Sequence, residues 1–263
     1  MSEPSNISTA SAKVFATYHP ESPPAHPGSG WTRFVCISDT HSQIFPVPDG
    51  DVLLHAGDLS SWGHPEQVEV TLTWLSSLGH PVKIIIAGNH ELCLDANLAQ
   101  NDQVLPLQDP SLQSIRRWMK SQELENANIY YLEHESLRFK TLEGREWSVY
   151  GSPSSPQYAR GAFQYDSAEE AQAVYRRIPL DTEILLTHTP PHLVLDLTRR
   201  GKNAGCPHLA EKVKELTQCR LHVFGHIHEA WGVDLSPENG RPISVNAAVA
   251  YRGSQAIIVD LRN

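Results

Sequence analysis

The chain has 263 residues, of which 40% are hydrophobic, and this length is enough for one large globular domain or two small ones. Thirty acidic and 21 basic residues give a net charge of −9, which argues against a general nucleic-acid binder, because such a protein carries a basic face for phosphates. No apolar run reaches the roughly 18 residues that span a bilayer and no signal peptide is predicted, so we expect no membrane partner. Four cysteines without a CxxC pair indicate buried thiols of a reducing compartment, which predicts a cytoplasmic protein.

The N-terminal segment differs in composition from the rest of the chain. Residues 1–29 are rich in serine, proline and glycine and show little apolar periodicity, which predicts a flexible leader. Within it, the stretch 13–18 is the part that would pair with the body of the protein. No internal repeat or second linker follows, so residues 30–263 are predicted to form one domain.

From Trp31 onward, short apolar runs rich in β-branched residues predict buried strands, each ending in polar residues. The runs are RFVCI (33–37), DVLLHA (51–56), VKIIIA (82–87), EILL (183–186) and LHVF (221–224). Further strands are predicted over 147–150, 243–249 and 255–259.

Helical patterns lie between these strands. Apolar residues at spacings of three and four predict one helix after Pro65 and another around Ile115. Ser167 and Glu170 form a capping box before a third helix, and Pro207 begins a fourth. The alternation predicts an α/β fold in which mixed sheets are covered by helices.

Residues that can bind a metal follow five of the predicted strands, in a chain with the high number of 14 histidines. Sites in open α/β sheets form beyond the carboxyl ends of strands, so we expect these side chains to converge. In an extended chain His226 and His228 would face the same side, because residues i and i+2 do so. The candidate ligands are Asp39, His41, Asp58, Asn89, His188, His226 and His228.

Seven ligands exceed the four that one zinc ion takes, and their oxygen and nitrogen donors favour a pair of divalent ions. Mn²⁺ is the preferred prediction, with iron, Zn²⁺ or Mg²⁺ as alternatives. Asp58 is the natural shared ligand, because a carboxylate at a strand end after a glycine can reach both sides. Such two-metal sites perform in-line displacement on phosphorus.

The series D-x-H, G-D, G-N-H-E, a single H and G-H-x-H resembles the calcineurin-like metallophosphoesterase superfamily. The stretches GDLSSWGHPEQVE, KIIIAGNHEL, LLTHTPP, HVFGHIHE and SVNAAVA are more narrowly similar to the small metallophosphoesterase-domain family of animal brain and many microbes, which is similar to class III cyclic-nucleotide phosphodiesterases. The resemblance covers residues 33–260. It implies a four-layer α/β/β/α sandwich of two mixed sheets flanked by helices, with the site at the sheet edges.

The resemblance also implies roles for individual residues. His90 is the catalytic candidate, expected to contact the substrate phosphate or the leaving oxygen. The implied activity is a metal-dependent phosphoesterase, foremost a phosphodiesterase acting on small molecules such as cyclic nucleotides, through a hydroxide that bridges the two metals. The first metal would be held by Asp39, His41, Asp58 and His228, and the second by Asp58, Asn89, His188 and His226.

Several alternatives stay open at this point. The protein-phosphatase signature G-D-x-x-D-R-G is not matched, because residues 57–63 read GDLSSWG. Three other functions are possible: a phosphomonoesterase, a specialised biosynthetic metalloenzyme, and a nucleotide-binding scaffold with little turnover. A scaffold of this kind would be expected to have lost at least one metal ligand, whereas all seven ligand positions are filled here. The expected partner is a small-molecule phosphoester, without extended nucleic-acid binding. Oligomeric state, and substrate contact by His64, Arg200 or Lys202, stay open.

Overall fold

The computed structural model describes residues 6–101, 110–235, 242–250 and 253–263. Its helices are α1 (Pro65–Ser77), α2 (Ala96–Asn101), α3 (Pro110–Met119), α4 (Gln122–Asn126), α5 (Ala168–Arg176) and α6 (Pro207–Glu215), with a 3-10 turn at His228–Ala230. Its strands are β1 (Ile7–Ser8), β2 (Ala12–Phe15), β3 (Trp31–Ile37), β4 (Val52–His55), β5 (Val82–Ile85), β6 (Ile129–Tyr131), β7 (Glu135–Lys140), β8 (Glu146–Ser152), β9 (Ser155–Pro156), β10 (Gln164–Tyr165), β11 (Ile184–Thr187), β12 (Leu221–Phe224), β13 (Gly232–Asp234), β14 (Ile243–Asn246) and β15 (Ile257–Arg262).

Two mixed sheets form the centre of the molecule. The first has the order β1-β2-β15-β3-β4-β5-β6, with β3 to β6 parallel and β15 antiparallel to both its neighbours. The second has the order β13-β14-β12-β11-β8-β7, with parallel strands inside and an antiparallel strand at each edge. Parallel neighbours end at the same edge of a sheet, so the polar residues that follow them become neighbours too.

The side chains of the strands alternate between two cores. Phe34 and Cys36 of β3 point into the core between the sheets, where the Phe34 ring meets the edge of the Trp147 ring from β8 at 5.3 Å. Val35 of β3 faces the other way, toward α1 and α3. On the second sheet, Leu185 of β11 faces α5 and α6. The predicted four-layer α/β/β/α sandwich is therefore confirmed.

Part of the predicted N-terminal leader pairs with the body of the protein, as expected for the stretch 13–18. Strand β2 pairs antiparallel with β15, and the side chains of Val14 and Ala16 are buried. The Tyr18 hydroxyl donates a hydrogen bond of 2.7 Å to the Ala256 carbonyl. Residues from β2 onward therefore belong to the domain, because their apolar side chains contribute to its core. Residues 1–5 of the predicted leader lie outside the described part of the chain.

The predicted elements are present, with shifted ends. The helix predicted after Pro65 is α1, and the predicted strand over 255–259 is found at β15. Ser167 caps α5 by accepting the Glu170 amide at 3.2 Å, as its capping box predicts. The cysteines, Cys36, Cys93, Cys206 and Cys219, are all buried and free. Within the described ranges, none of the helices combines the length and the apolarity that crossing a bilayer requires.

Candidate metal centre

The loops that follow β3, β4, β5, β11 and β12 meet at one edge of the sandwich. Asp39 donates its amide to the Gly57 carbonyl at 2.8 Å, and His41 donates its amide to the Asp58 carbonyl at 3.1 Å. The two sheets are joined here as well, because the His188 ring, after β11, donates to the Ala56 carbonyl, after β4, at 3.0 Å. Within the second sheet, the Gly225 amide bonds the His188 carbonyl at 3.0 Å. All seven predicted ligands are brought together at this edge.

One group of donor atoms lies nearest to β3. Asp39, His41, Asp58 and His228 each offer one ligand atom, and these four atoms lie within 4.8 Å of one another. The Nε2 atom of His228 is 3.0 Å from Asp39 Oδ1 and 3.3 Å from the Nε2 atom of His41. This is a compact set of one imidazole pair and two carboxylates.

A second group lies beside it, around His188. The His188 Nε2 atom is 2.9 Å from Asn89 Oδ1 and 3.3 Å from Asp58 Oδ1. The ring of His226 stands 5.0 Å from the His188 ring, centre to centre. The chain is not extended between His226 and His228, because His226 has a φ of +66° and His228 begins the 3-10 turn. The two histidines therefore reach two adjacent groups, and Asp58 contacts both.

The imidazoles are held with one nitrogen facing the centre. His41 donates Nδ1–H to the Ser60 carbonyl at 3.2 Å, and His188 donates Nδ1–H to the Ala56 carbonyl. His90 does the same to the Ser61 carbonyl at 2.6 Å. A carbonyl only accepts, so Nδ1 carries the proton and Nε2 is left for a metal or a substrate. Sequence reasoning missed these carbonyls, since any residue type supplies one.

Four of the seven predicted ligands have a left-handed backbone. The φ angles are +55° at Asp39, +48° at His41, +54° at Asp58 and +66° at His226. For residues other than glycine such conformations cost about 1–3 kcal/mol each and persist only where the surroundings enforce them. The strain is concentrated where the side chains converge, which is typical of a functional site.

The buried carboxylates keep their charge. Burial alone would raise the pKa of Asp58, but His188 outweighs it and lowers that pKa to about 2. Burial alone would lower the pKa of His188, but the charge of Asp58 outweighs burial and raises that pKa to about 9. Burial would also raise the pKa of Asp39, but His228 and two further histidines nearby together outweigh it and hold that pKa well below its usual range. Two ionised carboxylates with imidazole and amide donors fit a pair of divalent cations.

Other polar residues support the loops that carry these ligands. Glu91 is buried and accepts from the amide and hydroxyl of Ser60, each at 2.8 Å, and from the Gly88 amide at 2.7 Å. The amide of Asn246 donates to the Ile227 carbonyl at 2.9 Å, beside the two strand-end histidines. These contacts join the β4 loop to the β5 loop and β14 to the β12 loop.

Two further histidines, and the three residues whose contact with substrate was left open, lie outside the two groups of donor atoms. His55 and His222 are buried inside β4 and β12, where burial lowers the pKa of each to about 3, and they contact Thr40 and Thr187. His64, Arg200 and Lys202 are exposed on loops. The Arg199 amide bonds Glu229 at 2.6 Å, which ties the loop of the two basic residues to the residue after His228.

Comparison with known proteins identifies the class to which this fold and centre belong. The family model for calcineurin-like phosphoesterases matches residues 32–230, and the chain belongs to that family. It is similar to human and mouse Metallophosphoesterase domain-containing protein 1, each 37% identical over 243 residues, or 88% of this chain and 72% of the relative. A solved structure with a TM-score of 0.54 and 15% identity covers 82% of this chain and 90% of its own, which supports the fold. The resemblance carried by the motifs is confirmed.

Proposed function

We propose that the chain is a two-metal phosphodiesterase of small-molecule phosphodiesters, with cyclic nucleotides as the first class to test. Membership of the calcineurin-like phosphoesterase family indicates a hydrolase that acts on phosphoesters, without saying which ones. The observation that carries the two-metal proposal is the position of Asp58. Its Oδ1 atom is 3.3 Å from His188 Nε2, and its Oδ2 atom is 3.9 Å from His41 Nε2, so one carboxylate serves both groups of donors.

The proposed metal ligands divide into two sets around Asp58. Two divalent cations, with Mn²⁺ preferred over iron, Zn²⁺ or Mg²⁺, would supply Lewis acidity to the phosphoryl oxygens and lower the pKa of a water molecule. The protein's part is to fix the donors before substrate arrives, through the carbonyl-bound imidazoles and the buried carboxylates. The first set is Asp39, His41, Asp58 and His228, and the second is Asp58, Asn89, His188 and His226.

His90 is the proposed proton donor to the leaving oxygen. Its backbone amide donates to Asp58 Oδ1 at 2.9 Å and its Nδ1–H donates to the Ser61 carbonyl, so both the backbone and the ring are held in place. Its Nε2 atom lies 3.9 Å from Asp58 Oδ2, and 36% of the side chain is exposed. Nε2 therefore points toward the centre and stays accessible to the leaving oxygen of a bound ester.

The preference for a diester rests on the loop after Asp58. Residues 59–63 are Leu, Ser, Ser, Trp and Gly, so this loop has no cation to hold the second negative charge of a phosphomonoester. The four free, buried cysteines are consistent with the reducing cytoplasm in which we propose that the enzyme acts.

Turnover of an aryl phosphodiester and of the matching monoester by Mn²⁺-loaded protein tests this proposal. We expect faster hydrolysis of the diester, and a loss of roughly a hundredfold or more in His228→Ala, with one metal missing. The matched control is His26→Ala, whose imidazole bonds Asp51 at the opposite end of the strands. Unchanged turnover in His228→Ala would contradict the assignment of His228 as a metal ligand. Faster hydrolysis of the monoester than of the diester would favour a phosphomonoesterase. Two bound metals with no turnover of either ester would favour the scaffold.

His90→Ala should keep both metals and slow esters with poor leaving groups most. General acid catalysis contributes about 10²–10⁴-fold where the leaving alkoxide needs a proton, and much less for a nitrophenolate. The measurement is kcat for an alkyl and a nitrophenyl leaving group on the same phosphodiester, with metal content determined in parallel. Equal slowing of the two esters would contradict the proposal that His90 protonates the leaving oxygen.

A further inference from the structure

Exposed large apolar side chains are more frequent at the edge of the sheets that carries the candidate metal centre than elsewhere in the described part of the chain. In the part of the chain that the structure describes, eight large apolar side chains are exposed, and five of them lie on loops at the edge that carries the ligands. Scattered single exposures are ordinary on a protein surface, whereas a group of them at one site indicates binding of an apolar group. The five are Ile44, Trp62, Tyr158, Leu193 and Leu197.

Trp62 is the largest of the five, and its backbone is held against the proposed proton donor. The carbonyl of Ser61, its preceding residue, accepts Nδ1–H of His90 at 2.6 Å. Gly63, its following residue, packs so closely that a Cβ there would lie 2.5 Å from the His90 carbonyl oxygen. The amide of Trp62 itself donates to the side chain of Gln67 at 2.8 Å. The backbone is therefore fixed, while 71% of the residue is exposed.

We propose that Trp62 is the residue on which a planar aromatic ring of the substrate stacks. The assignment rests on the proposed function and narrows its substrate class to phosphoesters that carry a flat ring, such as a nucleobase. An exposed indole on a fixed backbone suits this role, because stacking on a base needs a flat ring and no particular hydrogen-bond pattern. The loop from Leu59 to Gly63 carries no charge, so it favours the ring of a substrate over its phosphate.

Calorimetric titration of the Mn²⁺-loaded full chain with adenosine 5′-monophosphate and with ribose 5-phosphate tests the assignment. The two ligands share the sugar and the phosphate and differ in the base alone. We expect Trp62→Ala to raise the Kd of the nucleotide between about fivefold and about a hundredfold, and to leave that of ribose 5-phosphate within about twofold. Trp62→Phe should recover most of the loss. Leu142→Ala, a control at an exposed residue of the β7–β8 hairpin, should match the wild type with both ligands.

Two results would overturn the assignment. One is a wild-type protein with no preference for the nucleotide; the other is a Trp62→Ala variant that binds the nucleotide as the wild type does, or that loses both ligands equally. If the protein still hydrolyses the aryl diester, either result contradicts the ring site at Trp62 but leaves the proposed phosphodiesterase activity supported. Base-dependent binding through Trp62 in a protein that hydrolyses no ester supports the ring site and contradicts the proposed turnover.

Discussion

Asp58→Asn is expected to lower phosphodiester turnover roughly a thousandfold or more, about 4 kcal/mol of transition-state stabilisation, and to weaken the binding of both metals. The reason is that Asp58 contacts both groups of donors, whereas each other predicted ligand belongs to one of them. An asparagine keeps the oxygen that accepts the His90 amide, so the loop retains its shape. It removes the negative charge and the second oxygen, and an amide is a poor bridge between two cations.

The measurement for Asp58→Asn is metal content after dialysis, together with turnover at saturating Mn²⁺. Asp181→Asn is the matched control, since Asp181 is an exposed carboxylate paired with Arg138 and precedes β11, at the opposite end of that strand from His188. The control should bind two metals and keep the wild-type rate. If Asp58→Asn also retained two metals and full turnover, the shared-ligand arrangement would be wrong.

The convergence of the ligands is predictable from the sequence because it depends on a few local rules. Buried apolar runs identify the strands, parallel strands end at one edge, and a ligand directly after each strand must then lie near the others. Asp39, Asp58 and His188 follow this rule directly. The rule says which residues meet, and it does not say in which orientation.

Orientation depends on contacts that have no local sequence signal. The tautomer of His41 is fixed by the Ser60 carbonyl, and that of His188 by the Ala56 carbonyl, which comes from the other sheet. The positive φ of Asp58 is likewise imposed by its surroundings, since aspartate only tolerates this conformation and does not require it. These features follow from tertiary packing, so a single sequence does not display them.

The fold shows the same division between local and distant causes. The inner strands β3, β4, β11 and β12 are apolar on both faces and are predicted, whereas β7 reads ESLRFK and lies at a sheet edge, where its outward side chains are polar. Composition places β2 in the predicted leader, although the stretch 13–18 is expected to pair with the body; its partner β15 lies at the far end of the chain. Composition alone therefore does not identify edge strands or strands whose partners are distant in the sequence.

Substrate preference is likewise difficult to predict from the sequence, because it depends on the conformation of exposed loops. The predicted ligands indicate a reaction class, whereas the role in substrate preference that we propose for Trp62 is suggested only by the position of its loop beside His90. An indole in a sequence is ordinarily predicted to be buried. Its exposure here is a property of the folded site.

Gly225→Ala is expected to destabilise the protein by about 3 kcal/mol or more and to lower its Tm by roughly 5–10 °C. Gly225 lies between β12 and His226, and a Cβ at this position would overlap the Oδ2 atom of Asp39 and the Oγ atom of Ser38, and would come within 2.7 Å of Ser38 Cβ. Ser38 and Asp39 are both fully buried, so neither has space to move into. The carboxylate of Asp39 also accepts the His226 amide at 3.0 Å, and this bond would break.

The same substitution separates the metal site from the rest of the fold. Displacing Asp39 opens the first set of ligands, so Gly225→Ala should bind one metal fewer and lose turnover even at temperatures where it is fully folded. Thermal unfolding with and without Mn²⁺ measures both effects, because metal binding raises the Tm of the wild type more than that of the variant. Gly79→Ala is the control, since no heavy atom lies within 4 Å of the Cβ it would add, and its Tm should stay within about 2 °C of the wild type. A Gly225→Ala protein with the wild-type Tm and two metals would mean that Asp39 does not pack against this glycine.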